Sequence, residues 1–212
     1  MNFSHLRKNY HLQICKNLLI VNKDSKKGEY PNNADSNSKI SIKIAWEILN
    51  QICEKPVYGS LSVQKASTIF QQVTKDFLEK SFALLRHIRP GKWLYSINTP
   101  ISSFGQYKDL AKIEKVVKIS QALATSLGSD YIMSPDIVVG REPVSDQEIN
   151  KAGKLIDNNE AIATLTPLRE ANFEYPEVIL HASISCKWTL RSDRAQNSRT
   201  EALNLIRNRK GH

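Results

Sequence analysis

Residues 181–188 read His181-Ala182-Ser183-Ile184-Ser185-Cys186-Lys187-Trp188, inside the stretch 177–190 that carries the clearest strand pattern in the chain. Side chains alternate across a strand, which puts His181, Ser183, Ser185 and Lys187 on one face and Ala182, Ile184, Cys186 and Trp188 on the other. The second face is apolar and calls for burial, whereas the first is polar and ends in a lysine. On spacing alone, a lysine that extends from a strand end into solvent is the plainer reading of Lys187.

Two carboxylates compete for a place beside that lysine. Glu201 lies in Ser198-Arg199-Thr200-Glu201, which fits the S/T-x-x-E capping box of a helix start. Asp136 lies in Ser134-Pro135-Asp136-Ile137-Val138-Val139, and an acid inside an apolar run is costly to bury unless paired or metal-bound. A surface aspartate at a proline-made bulge is the alternative. Two carboxylates plus a lysine are what metal-assisted phosphodiester hydrolysis needs. Hard oxygens hold Mg²⁺ with water left in its shell, and the lysine stabilises developing charge or orients the nucleophile. After Lys187 the chain reads Trp188-Thr189-Leu190-Arg191-Ser192-Asp193-Arg194, followed by Arg199, Arg207 and Arg209. Arginine pairs bidentately with guanine and aspartate accepts from cytosine, so Arg191, Asp193 and Arg194 suit a G- and C-reading surface. A solvated charged turn is the simpler reading of three such residues taken alone.

Working outward, residues 1–20 carry Leu12, Cys15 and Leu19 at helical spacing, and residues 22–39 are polar and predict a loop. Helices are predicted over 40–53, 63–88, 107–127 and 198–209, and strands over 93–97 and 131–139, the latter with Pro135 inside. Pro90-Gly91 ends the second long helix and Gly128 the third, while 141–175 is polar and irregular. The order predicts one α/β domain with a central mixed β-sheet flanked by helices.

The chain of 212 residues is long enough for one domain with a core, and it carries 30 Lys+Arg against 21 Asp+Glu, a net charge of +9. A basic excess suits a polyanionic partner, although many basic proteins bind no nucleic acid. Cys15, Cys53 and Cys186 are odd in number and form no C-x-x-C pair, which fits a reducing cytosol. Neither a signal peptide nor a membrane-spanning run is read, so the expectation is a soluble, intracellular protein. The basic segments hold no aromatic-rich stacking pattern, which argues against an RNA-binding protein.

The stretch 181–211, with Gly128-Ser129-Asp130-Tyr131, Pro135-Asp136-Ile137, His87-Ile88-Arg89-Pro90-Gly91 plus Trp93, and Asn33-Ala34-Asp35, resembles NgoMIV-type restriction endonucleases of the PD-(D/E)XK nuclease superfamily. The resemblance touches most of the chain and is strongest from residue 181 onward. It implies a restriction-endonuclease-like core and a type II, Mg²⁺-dependent deoxyribonuclease acting at a CCGG-containing, GCCGGC-like palindrome. It further implies a metal site of Asp136, Glu201 and the Cys186 backbone carbonyl, with Lys187 as catalytic lysine. Ser185 takes the place of the acid that most of the superfamily carries two residues before the lysine. Arg191, Asp193 and Arg194 are implied to read the CCGG core, with Asp35 and Gln64 as further DNA contacts. Members work as dimers or tetramers on double-stranded DNA in the cytoplasm, beside a cognate methyltransferase. Two departures stand out. Phe70 is followed by Gln71 where relatives carry a glutamate, and relatives continue beyond Arg209-Lys210-Gly211 with further strands. The resulting expectation is a single domain over 1–212 lacking its C-terminal strands, with an inactive, truncated DNA-binding remnant as the alternative.

Overall fold

The computed structural model describes residues 2–89, 91–119, 134–159, 168–172 and 177–209. It divides into two compact units, Met1–Leu84 with Ser185–Thr200, and Leu85–Ile184 with Glu201–His212. Among the described residues there are two three-stranded sheets, one in each unit, where the sequence predicts a single central mixed sheet. The mixed α/β character, with small sheets flanked by helices, is as expected.

The first unit begins with α1 (Phe3–Asn17), capped by the Asn2 side chain, which accepts the His5 N–H at 2.9 Å. It buries Leu6 and Ile14, while Leu12, placed on the core face by its spacing, is exposed. The helix stops at Asn17, so Leu18 and Leu19 enter the core from the connection, and β-branched Ile20-Val21 start β1 (Ile20–Asp24). β1 pairs antiparallel with β2 (Gly28–Pro31) and parallel with β3 (Val57–Tyr58). The predicted loop over 22–39 is thus in part a hairpin. Asp24 Oδ1 accepts the Lys26 and Lys27 amides at 2.8 and 2.9 Å, and Gly28 turns the chain at φ 75°. Turn-forming residues on both sides of short polar strands conceal such a hairpin from a pattern reading.

α2 (Lys39–Ile52) and α3 (Val63–Ala83) start on serine caps, Ser38 and Ser62, accepting the amides of Ser41 and Lys65. On α2 the core face is Ser41, Ala45 and Leu49, leaving Ile40 and Ile44 outside. α3 ends earlier than predicted, in turns over 84–88. Ile14, Leu18, Leu19, Val21, Leu49 and Ala66 form the core of this unit. Cys15 and Cys53 are disulfide-bonded, with Cα atoms 5.6 Å apart, where the odd cysteine count is read as fitting a reducing cytosol, and Cys186 is buried and in no disulfide. The reason is packing: α1 and the end of α2 share the Ile14–Leu49 core, which aligns cysteines far apart in sequence.

The second unit is built on an antiparallel sheet of β4 (Trp93–Ile97), β5 (Ile137–Arg141) and β6 (Ile179–Ile184), in that order. β4 matches its prediction. β5 begins at Ile137, so Pro135 precedes the strand instead of sitting inside it. β6 ends at Ile184, short of the predicted 190; the last pair is Ile137↔Ile184, and beyond it Pro135 has no N–H to continue a ladder. A bulge at Val139/Gly140 leaves His181 as the extra residue between Leu180 and Ala182. One sheet face packs Val138 and Leu180 on Ile101, Phe104, Tyr107 and Leu205. Gly140 permits this closeness, because a Cβ there would stand 2.9 Å from Val178 Cγ1 and 3.1 Å from the Phe104 ring.

α4 (Lys108–Ile119) supplies Leu110 to that core, and the predicted helix beyond 119 and the strand start at 131–133 lie outside the described residues. α5 (Asp146–Ile149) is one turn in the segment read as irregular. The last helix, α6, spans Ser192–Asn208, starting six residues before the predicted 198.

Arg169 is 3% exposed and ties its segment to Asp146 and Asn158, donating from Nε to Asp146 Oδ1 at 2.5 Å, from a terminal nitrogen to Asp146 Oδ2, and to Asn158 Oδ1 at 2.6 Å. The Arg169 hydrogen bonds hold the Asp146 carboxyl below the usual carboxylate range. A lowered carboxyl pKa gives stability that is present above the ordinary value and lost as pH falls through the folded one. Asp146→Asn should therefore melt below the parent at neutral pH and converge with it in acid. Thermal melts across pH check this, and a gap constant with pH would contradict it.

Candidate active site

Within the second unit, Asp136 directly precedes Ile137, and the Ile137↔Ile184 pair closes the β5–β6 ladder. Ser185-Cys186-Lys187 follow Ile184 in the sequence and belong to the first unit. The backbone of Asp136 is fixed from the β4 side, where Asn98 N–H donates to its carbonyl at 3.3 Å. Asn98 takes a left-handed conformation, φ 54°, which asparagine tolerates better than most residues. Glu201 belongs to the same unit as Asp136. One turn further along α6, Leu205 packs into the Val138–Tyr107 cluster and its carbonyl accepts Tyr107 Oη at 3.2 Å, seating the helical face that Glu201 shares.

The start of α6 decides between the two readings of Glu201. It stands more than two turns inside the helix, so Ser198-Arg199-Thr200-Glu201 is not a capping box. Ser198 is likewise a mid-helix residue, and its hydroxyl lies 3.3 Å from both Ser185 Oγ and the Arg194 carbonyl.

The other candidates belong to the first unit. Lys187 is half-buried between buried Cys186 and Trp188, and the Trp188 ring packs on Phe70 at 5.1 Å. Gln71, next to Phe70 on α3, is 7% exposed, an environment in which a neutral amide is far cheaper than an unpaired carboxylate. Gln64 is exposed in the first turn of α3. Arg191 and Asp193 form an exposed ion pair, Nε to Oδ1 at 3.1 Å. The Arg194 N–H closes onto the Arg191 carbonyl at 3.2 Å. Asp35 lies in the loop before α2, which forms a parallel bridge, Ala34↔Leu190, with the chain entering Arg191–Arg194. Asp35 is thereby brought beside the Arg191 segment, and Gln71 beside that of Lys187.

The predicted alternation along 181–187 fails at both ends, through the bulge at His181 and the end of β6. The His181 ring meets Trp93 edge-on at 4.7 Å, and Arg141 lies over Trp93 at 5.2 Å. Partial burial, then the nearby Arg141 and Arg89 charges, push the His181 imidazole below its usual pKa. No pattern in the sequence joins these residues, because the bulge that aims His181 is a property of the ladder.

Among the described residues no group of three or more His, Cys, Asp and Glu side chains is gathered to hold a metal. Asp136 and Glu201 offer carboxylate oxygens, the donor type a hard cation takes, and both are half-buried. No helix among the described residues is long and apolar enough to cross a membrane.

With this geometry in view, the comparisons define a class. The NgoMIV restriction enzyme family model matches residues 10–212, and the chain belongs to that family. It is similar to the type II restriction enzyme NgoMIV of Neisseria gonorrhoeae, at 40% identity over 215 residues, covering 99% of this chain and 72% of that enzyme.

Because Glu201 stands mid-helix, Glu201→Gln should leave the amides of 198–201 as protected from hydrogen exchange as in the parent. Loss of protection confined to those amides is what a lost cap would give and would contradict its mid-helix position.

Proposed function

We propose that this chain is a type II site-specific deoxyribonuclease that hydrolyses double-stranded DNA with Mg²⁺ at a CCGG-containing, GCCGGC-like palindrome. The observation that carries the reading is the Ile137↔Ile184 pairing, which leads Asp136 and the Lys187 segment out of one ladder end in a chain of this family. Asp136 and Glu201, with the Cys186 carbonyl, would hold the metal. When bound, Mg²⁺ supplies charge neutralisation at the scissile phosphate and a more acidic water.

The residues of the chain do the rest. Lys187 brings a cation to the oxygens on which negative charge grows as water attacks phosphorus and the bond to the leaving sugar oxygen breaks. Ser185 stands where a carboxylate would add charge, leaving the acid to Glu201. Gln71 orients a polar neighbour through its amide without adding a charge. Arg191 and Arg194 read guanine O6 and N7 and Asp193 accepts from cytosine N4, with Asp35 and Gln64 as further contacts. In the free protein Arg191 and Asp193 hold each other, so binding exchanges one exposed pair for contacts to base edges.

A palindromic site cut on both strands suits a homodimer or homotetramer with symmetric sites. A cognate methyltransferase would protect the host sequence. The enzyme would work in the cytoplasm, where disulfides are rare, and the Ile14–Leu49 core holds α1 and α2 together independently of the Cys15–Cys53 bond.

Lys187→Ala should lower the cleavage rate by at least about a hundredfold, the scale for removing one charge stabiliser, while retention of a CCGG duplex persists. Gel-shift and cleavage assays on the same labelled duplex measure both. Retained cleavage would remove Lys187 from the chemistry. Specific retention without cutting by the parent chain would favour a non-catalytic DNA-binding protein, for which buried Gln71 is the specific ground.

A further inference from the structure

A buried hydroxyl ties the loop that carries Asp35 to the segment that carries Arg191, Asp193 and Arg194. In a parallel bridge between Ala34 and Leu190, the Leu190 N–H bonds the carbonyl before Ala34, and the amide after Ala34 bonds the Leu190 carbonyl. The first bond is present: Leu190 N–H donates to the Asn33 carbonyl at 2.8 Å. The second runs through Ser41. The Asp35 N–H donates to Ser41 Oγ at 2.8 Å, and Ser41 Oγ donates to the Leu190 carbonyl at 2.9 Å.

Ser41 is suited to this task by its place on α2. It is 6% exposed, and its own N–H is satisfied by the Ser38 cap at 3.2 Å, which leaves its hydroxyl for the bridge. The surroundings are restrictive, since Asn33 and Ala34 are also buried. The side chain of Asp35 is steadied in turn, its Oδ1 accepting the Asn37 amide at 3.0 Å. A relay inside a bridge fixes the separation of the two backbones as well as their pairing. Removing the hydroxyl leaves a buried donor and acceptor to close on each other or go unmet.

We infer that Ser41 is a specificity-determining positioning residue, which sets Asp35 in register with Arg191–Arg194 so that both segments address one DNA site. The inference rests on the proposed reading of those residues as DNA contacts. Its structural half, the relay, stands apart from that reading.

The test compares the parent with Ser41→Ala, Ser41→Thr, which keeps the hydroxyl, and Ser41→Cys, which weakens it. Two readouts are taken on folded protein, checked by circular dichroism. Hydrogen exchange at the Asp35 amide reports the relay. Cleavage of a CCGG-containing duplex and of the same duplex with one base pair changed reports discrimination, as a ratio of kcat/KM values. Ser41→Ala should lose protection at Asp35 and at least about tenfold of the ratio, roughly what one misplaced base contact costs, mainly through KM. Ser41→Thr should behave as the parent and Ser41→Cys should fall between. Unchanged protection in a folded Ser41→Ala protein overturns the relay, and lost protection with an unchanged ratio overturns the specificity role. If Ser41→Ala does not fold, Ser41→Cys decides by the same two readouts. A parent that neither cuts nor retains either duplex overturns the DNA-contact reading and the specificity role with it, while exchange at Asp35 still decides the relay.

Discussion

The antiparallel pairing of β5 with β6 is the constraint on which the candidate chemistry depends. Its register fixes what leaves the ladder beside what, and a slip by one residue would turn every side chain of β6 to the opposite face. Val138 and Leu180 hold that register by packing against Phe104 and Tyr107, and Gly140 lets the sheet approach Phe104 closely. The bulge absorbs His181 without moving the Ile137↔Ile184 pair, so irregularity near the middle of the ladder leaves its last pair intact. Pro135 then stops the pairing, and the chain is released at Asp136 on one side and Ser185 on the other.

A second kind of control comes from polar groups inside apolar surroundings. Ser41 and Arg169 are both buried, and each makes hydrogen bonds to more than one segment. Such bonds contribute modestly to net stability, but they are costly to leave unmade, which makes them effective at choosing one arrangement over near alternatives. Ser41 does this between the loop of Asp35 and the segment of Arg191. Arg169, itself paired in the bridge Val144↔Arg169, does it between the start of α5 and Asn158.

Much of this was legible from the sequence, and the failures have physical causes. β4 and α2 carry periodic apolar residues over their whole length, and both stand where the pattern puts them. The strand at 179–184 was visible, but its end was not, since that depends on Pro135 just ahead of the neighbouring strand. The β1–β2 hairpin was hidden by its polar residues and Asx turn. Ser198-Arg199-Thr200-Glu201 imitates a helix start because capping and mid-helix positions use the same residue types, and the true start lies at Ser192. The Ser41–Leu190 hydrogen bond spans 149 positions and leaves no local trace. The family could be read from residues 181–211 and neighbouring motifs, and the family comparison agrees with it. The roles of individual residues rest on that resemblance and on the ladder geometry together.

The most direct measurement is to incubate the purified 212-residue chain with plasmid DNA and Mg²⁺ and sequence the ends of any products. The account predicts discrete fragments whose ends all fall within CCGG-containing palindromes, and none when the metal is chelated. Intact plasmid from folded protein, or cuts scattered without regard to sequence, would contradict it.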